Sequence, residues 1–178
     1  AEGRKNMYPP KWDGEGWGGD PMPLIYFNGI GIGWAAGEPS FVLVGTKLYI
    51  YSTLDSFSEI YGWVRATRVH TADITDPQWP SNLKYEGICA YRNDYTDAED
   101  YTYADSDSWS VAYLEDSHKF IALTTNRRFK DDSCLLYYES YDGITFERVS
   151  ELNSDVFCGC HNCGLSSDET GHIGKDDN

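Results

Sequence analysis

Basic residues are scarce in this chain of 178 residues: 14 Lys and Arg stand against 29 Asp and Glu, a formal net charge of −15. A surface this anionic repels phosphate backbones and anionic headgroups, so neither a nucleic-acid partner nor a membrane partner is expected. No run approaches the roughly 20 apolar residues that a membrane-spanning helix needs. No signal peptide is visible, and Ala1 reads as the start of a processed or trimmed segment. No convincing amphipathic helix pattern occurs, and the Gly-x-Ser-x-Gly turn of serine hydrolases is missing. The run Gly29-Ile30-Gly31-Ile32-Gly33 lacks the Lys-Ser/Thr ending and following helix of a phosphate loop.

Cysteine is sparse and odd in number: Cys89, Cys134, Cys158, Cys160 and Cys163. At least one is therefore free or bonded outside the chain, which argues mildly against an oxidising compartment. Cys160-His161-Asn162-Cys163 has ligand-like spacing, but Cys89 and Cys134 stand alone and do not form the second pair a zinc site requires. Buried thiols or a local disulfide are expected, with no metal bound by the cysteines. A thioredoxin-type reading needs a helix start within a βαβ unit, which this pattern does not offer.

What the chain has in excess is aromatic residues, 15% of the total with 14 Tyr and 6 Trp. They fall in runs of period two, bounded by Gly, Asp, Asn or Ser, the pattern of short strands. The same phrase occurs twice. In the first copy Glu38-Pro39-Ser40 leads into a strand from Phe41 to Val44, a turn at Gly45-Thr46, a strand from Lys47 to Ser52, and a return through Trp63 to Thr67. Residues from Asp73 to Tyr85 then form a loop between third and fourth strands. The second copy runs from Ser110 to Leu114, turns from Glu115 to His118, and continues from Lys119 to Thr124. Its return is Leu135 to Ser140, the turn Tyr141-Asp142-Gly143, and Ile144 to Val149.

Repeated sets of short antiparallel strands predict an all-β protein of propeller-type blades, two essentially complete and a third begun. A jelly-roll β-sandwich is the alternative architecture. Residues 1–36, punctuated by Gly and Pro, form an irregular N-terminal segment, and residues 37–178 the blades. The abrupt stop after His172-Ile173 leads to the expectation of a longer polypeptide, whose remaining blades or a second copy would be a partner. The acidic stretch from Asn93 to Asp107 reads as a solvated loop, with a structural calcium ion as the alternative; no other cofactor is expected.

Glu38-Pro39-Ser40-Phe41 with Lys47-Leu48-Tyr49-Ile50-Tyr51-Ser52 resembles the opening of a blade in the five-bladed β-propeller glycosidases, glycoside hydrolase families 43, 32, 62 and 117 and their relatives. Asp107 ahead of Trp109 to Leu114, and Ser140-Tyr141-Asp142-Gly143-Ile144-Thr145-Phe146, look like the next blade, and the stretch from His161 to Ile173 like the head of a third. The resemblance covers roughly residues 34 to 173. It departs from the family 43 pattern in having Glu38 where Asp is usual and His161-Asn162 where the third phrase would carry an acid.

The resemblance implies a secreted bacterial protein that acts on polysaccharide, with carboxylates on the innermost strands of successive blades as acid and base or nucleophile. Glu38 and Asp107 are the catalytic candidates. Trp34 and Trp109 flank them and are candidates for stacking on a sugar ring. His161 and Asn162 are candidate hydroxyl ligands, and Asp168 is the candidate third carboxylate. A non-catalytic carbohydrate-binding or scaffold module built from the same blades is the alternative function.

Overall fold

A computed structural model describes residues 37–58, 62–89, 108–127, 130–153, 159–160 and 162–174. Among them every regular element is a strand. The first sheet is an antiparallel meander of β1 (Gly37–Val44), β2 (Lys47–Ser58), β3 (Gly62–Asp73) and β4 (Lys84–Ile88), in that order. The second repeats the plan with β5 (Ser110–Leu114), β6 (Lys119–Asn126), β7 (Cys134–Ser140) and β8 (Glu147–Leu152). A two-residue strand, β9 (His172–Ile173), joins the free edge of β5 in parallel, with Tyr113 opposite His172 and Leu114 opposite Ile173. Each sheet is built from consecutive strands, whereas a jelly roll interleaves them between its sheets by Greek-key crossings.

The anticipated turns fall where Gly and Asp placed them, but two strands run further. β2 and β3 pair over twelve residues each, from Lys47 opposite Asp73 to Ser58 opposite Gly62. Hairpin partners satisfy each other's backbone groups whatever the side chains, so the ladder continues past the last clear apolar alternation at Ser52. β8 starts later than read, at Glu147, because Asp142 holds the intervening loop. Its Oδ1 accepts from the Ser140 hydroxyl (2.9 Å) and from the backbone N–H groups of Ile144 (2.7 Å) and Thr145 (2.9 Å). Those N–H groups are then unavailable to a ladder. The third phrase contributes only β9; residues 162–168 are irregular.

The two sheets share one core. Val42, Tyr49, Tyr51 and Val69 from the first meet Val111, Phe120, Ala122, Leu136 and Tyr138 from the second, with Trp109 and Phe146 between them. Aromatic rings interlock across the core, Tyr51 edge to face with Phe146 at 5.8 Å and Tyr49 tilted against Phe120 at 4.8 Å between centroids. Burial of each such side chain contributes about 1.5–3 kcal/mol, and the rings add directional preference. Polar bonds fix the register between the sheets. The buried Tyr51 hydroxyl donates to the Gly143 carbonyl at 2.8 Å, and Phe146 N–H donates to the Cys89 carbonyl at 2.8 Å.

β1 and β5 run side by side in the same sense. Near their starts Ser40 Oγ accepts from Val111 N–H at 3.0 Å. Near their ends Leu43 N–H and Tyr113 N–H donate to the consecutive carbonyls of Thr170 (2.9 Å) and Gly171 (2.8 Å). Among the described residues the segment 168–173 thus closes one end of this strand pair and leaves the other end open.

Candidate functional site

At the open end lies a cleft of about 220 Å³, lined by Pro39, Ser40, Ser108, Trp109, Ser110, Asn162 and Cys163. Three stretches converge there: the start of β1, the residues entering β5, and the start of the 162–174 segment. Each is tied to another by a hydroxyl. Ser40 bridges β1 to Val111 of β5, and Ser110 Oγ accepts from Leu165 N–H at 2.9 Å. Ser108 N–H donates to Thr53 Oγ1 of β2 at 2.8 Å. Ser108 adopts φ 54°, a left-handed conformation that a side chain disfavours, so this bond holds a strained backbone at the cleft wall.

The cleft lies where the two repeated phrases begin. Glu38 directly precedes Pro39, and its backbone is in β1; Asp107 directly precedes Ser108. Asp107, Trp34 and His161 lie outside the described residues. Trp109 belongs to the wall yet is only 3% exposed, packed on Tyr138 at 4.5 Å and Phe146 at 5.1 Å between centroids. It forms the floor of the cleft rather than a projecting platform. Asn162 is exposed in the wall, and its backbone carbonyl accepts from the Cys160 thiol at 3.5 Å.

Asp168 stands at the closed end, roughly 10 Å along β5 from the cleft, judging by the three-residue separation of Ser110 and Tyr113 and the rise per strand residue. Its Oδ1 accepts from Thr170 N–H (2.8 Å), Thr170 Oγ1 (2.7 Å) and His172 N–H (2.9 Å). These bonds, the one from His172 first, hold its carboxyl below the ordinary range. In this arrangement Asp168 organises a turn.

Sequence reasoning overlooked the serines. Ser40, Ser108 and Ser110 all line the cleft, and both head phrases contain them, Glu38-Pro39-Ser40 and Asp107-Ser108-Trp109-Ser110. A hydroxyl recurring beside an acid at matching points of a repeat was the available signal. Cys89 and Cys134 are free, buried thiols. Among the described residues no group of three or more His, Cys, Asp or Glu could hold a metal ion. The acidic stretch before Asp107, the alternative calcium locus, lies outside them.

No known family profile matches the chain, and no curated protein does. Solved structures similar to it include one described with the words "The GH130 family of mannoside phosphorylases contains glycoside hydrolases that target beta-1,2 mannosidic linkages in Candida mannan". That match has 14% identity and a TM-score of 0.44, over 65% of this chain and 31% of that one. A glycosyl hydrolase from Bacteroides ovatus matches at 11% identity and a TM-score of 0.42, over 64% of this chain and 30% of that one. The chain thus spans less than a third of the length of either structure.

Proposed function

We propose that the two sheets are neighbouring blades of a larger β-propeller, and that the protein is a secreted carbohydrate-active enzyme hydrolysing glycosidic bonds of a polysaccharide. The observation that carries this reading is the cleft between the starts of β1 and β5. It sits where both repeated phrases begin, and in each phrase a carboxylate residue, Glu38 or Asp107, directly precedes a residue of its wall. Glycoside hydrolysis needs two carboxyl groups about one sugar, roughly 5–5.5 Å apart for retention and 6.5–9.5 Å for inversion. Ser40, Ser108, Ser110 and Asn162 offer the hydroxyl and amide groups that bind sugar hydroxyls, over the apolar floor of Trp109. Trp34 and His161 complete the proposed binding surface.

The test uses the whole protein with a panel of 4-nitrophenyl glycosides and soluble polysaccharides. Glu38→Gln and Asp107→Asn keep shape and remove charge, and each is expected to lower kcat by about 10²–10⁴-fold. Hydrolysis of a true substrate by both variants at the unaltered rate would refute the assignment. A second reading, a non-catalytic carbohydrate-binding module, draws on the same hydroxyl and amide lining over the Trp109 floor, which suits sugar binding without turnover. It predicts retention by a polysaccharide with no turnover in the unsubstituted protein.

A further inference from the structure

The first sheet has a second face, turned away from the shared core. Val69 points into that core, so Arg68 and His70, its neighbours in β3, point the other way. Ser52 stands directly opposite Arg68 on β2 and shares its face. Three side-chain atoms of this cluster are buried without a hydrogen-bond partner: Ser52 Oγ, Arg68 Nε and His70 Nδ1. Folded chains leave few such groups, and three on neighbouring positions of one face call for a common partner.

The chain holds a carboxylate that could have served, and the sheet diverts it. Arg68 pairs with Ile88 and Val69 with Gly87, so a regular ladder would set Glu86 opposite His70. The register shifts at that point, and Tyr85 stands opposite His70 instead. Glu86 becomes the extra residue, and its carboxylate accepts from Thr71 Oγ1 (2.6 Å) and Lys84 Nζ (2.7 Å). Thr71, two positions from Val69, lies on the core side of β3. Arg68 donates from Nη1 to the Tyr85 hydroxyl at 2.8 Å and has no carboxylate partner among the described residues. In a chain with 29 acidic side chains against 14 basic ones, that is a conspicuous omission.

We propose that Arg68, Ser52 and His70 form a binding site for the carboxylate of an external ligand, either a free small acid or an acidic sugar. All three unpartnered atoms can donate: the guanidinium N–H, the hydroxyl, and Nδ1–H in one tautomer of the imidazole. The bond to Tyr85 engages Nη1 and leaves the Nε–Nη2 edge, the fork that grips a carboxylate with two parallel bonds. Tyr85 fixes the guanidinium from its other side, with the Arg68 Cζ 5.4 Å from the ring centroid, and its ring tilts against His70 at 5.2 Å. Burial first, and then the Arg68 charge, lowers the His70 pKa, so near neutral pH the ring is uncharged and Arg68 supplies the positive charge. Tyr85 is 47% exposed on β4, the outer strand of this sheet, and its rotation admits the ligand to the buried donors.

The site does not depend on the reading of the cleft, and its test does not involve activity. NMR of the whole protein would follow the Arg68 Nε–H and the His70 ring while acetate, glucuronate, glucose or sodium chloride is added at constant ionic strength. Saturable shifts are expected with the two acids and none with glucose or chloride. Equal affinity for both acids identifies a free small acid as the ligand, and glucuronate binding about tenfold or more tighter identifies an acidic sugar. Arg68→Gln should weaken binding at least about tenfold, the effect of losing a charge-assisted hydrogen bond. Tyr85→Glu puts a carboxylate where the regular ladder would have placed Glu86, and should abolish binding by filling the site from within. Tyr85→Gln, which brings no charge, should keep it. If Arg68→Gln fails to fold, the pair of substitutions at the half-exposed Tyr85 still decides. No saturable shift at Arg68 Nε–H with either acid overturns the proposal, as do equal shifts with chloride or equal binding by Tyr85→Glu and Tyr85→Gln.

Discussion

Alanine at Gly171 is expected to cost about 3–4 kcal/mol of stability. Gly171 adopts φ +81°, and a Cβ built there would lie 2.5 Å from the Phe41 carbonyl oxygen and 3.2 Å from Val42 Cα. Placing an L-residue in left-handed space costs about 1–2 kcal/mol. The clash adds to this because Phe41 is a backbone neighbour inside β1, paired with Ile50 of β2, and cannot retreat without opening that ladder. The turn must lift instead, at the expense of the Leu43–Thr170 and Tyr113–Gly171 bonds (2.9 and 2.8 Å), each worth about 1 kcal/mol. For a protein of this size 1 kcal/mol moves Tm by about 2–4 °C, so the expected fall is about 6–16 °C. Two controls separate the contributions. Gly45→Ala shares a positive φ of 62° but meets nothing within 4 Å, and should lose only the conformational cost of about 1–2 kcal/mol. Gly164→Ala, also in open space, should stay within about 0.5 kcal/mol of the parent. Urea unfolding followed by tryptophan fluorescence measures all three. If Gly171→Ala is no worse than Gly45→Ala, the close packing of this segment on β1 is wrong.

Two further outcomes follow from buried and bonded groups. Burial pushes the Asp142 carboxyl up, but hydrogen bonds from Thr145, Ile144 and Ser140 outweigh it and leave it below its ordinary 3.8. A depressed carboxyl stabilises above its unfolded value and loses that contribution as pH falls through the folded one. Asp142→Asn should therefore destabilise at neutral pH and flatten the acid limb below about pH 4; equal urea-midpoint losses at about pH 3 and pH 7 would contradict this. Cys89 and Cys134 are both 0% exposed, and burial pushes both thiols up, Cys134 to about 11. Iodoacetamide at about pH 8 should alkylate the half-exposed Cys160 in the native protein and spare those two, because only the thiolate reacts. Peptide mapping that finds Cys89 modified before unfolding would overturn the shared core in which it lies.

Strand positions were legible in the sequence because they depend on neighbours in the chain. The short apolar runs Phe41-Val42-Leu43-Val44 and Phe120-Ile121-Ala122-Leu123 mark strands wherever they end up, and Gly45 and Glu115 to His118 mark turns by local backbone chemistry. The heads of the two phrases, Glu38-Pro39-Ser40 and Asp107-Ser108-Trp109, pointed to the place where the cleft lies for the same reason: repetition is a sequence property. Tertiary structure decided the rest. Whether Trp109 projects or serves as a floor depends on Tyr138 and Phe146, nearly thirty or more positions away. Asp168 is an exception on the local side: it bonds Thr170 and His172, two and four positions on, so Asp168-Glu169-Thr170-Gly171 carried a readable turn signal. The short strand at His172–Ile173 adds to β5 in parallel, and parallel pairing joins distant segments with no hairpin to announce it. The ring nitrogens of His172 likewise lie against the Leu43 carbonyl and the Glu115 carboxylate, separated from it by 129 and 57 positions. Local periodicity specifies which residues form strands; which of them meet across the core and at the cleft is settled only when burial brings distant segments together.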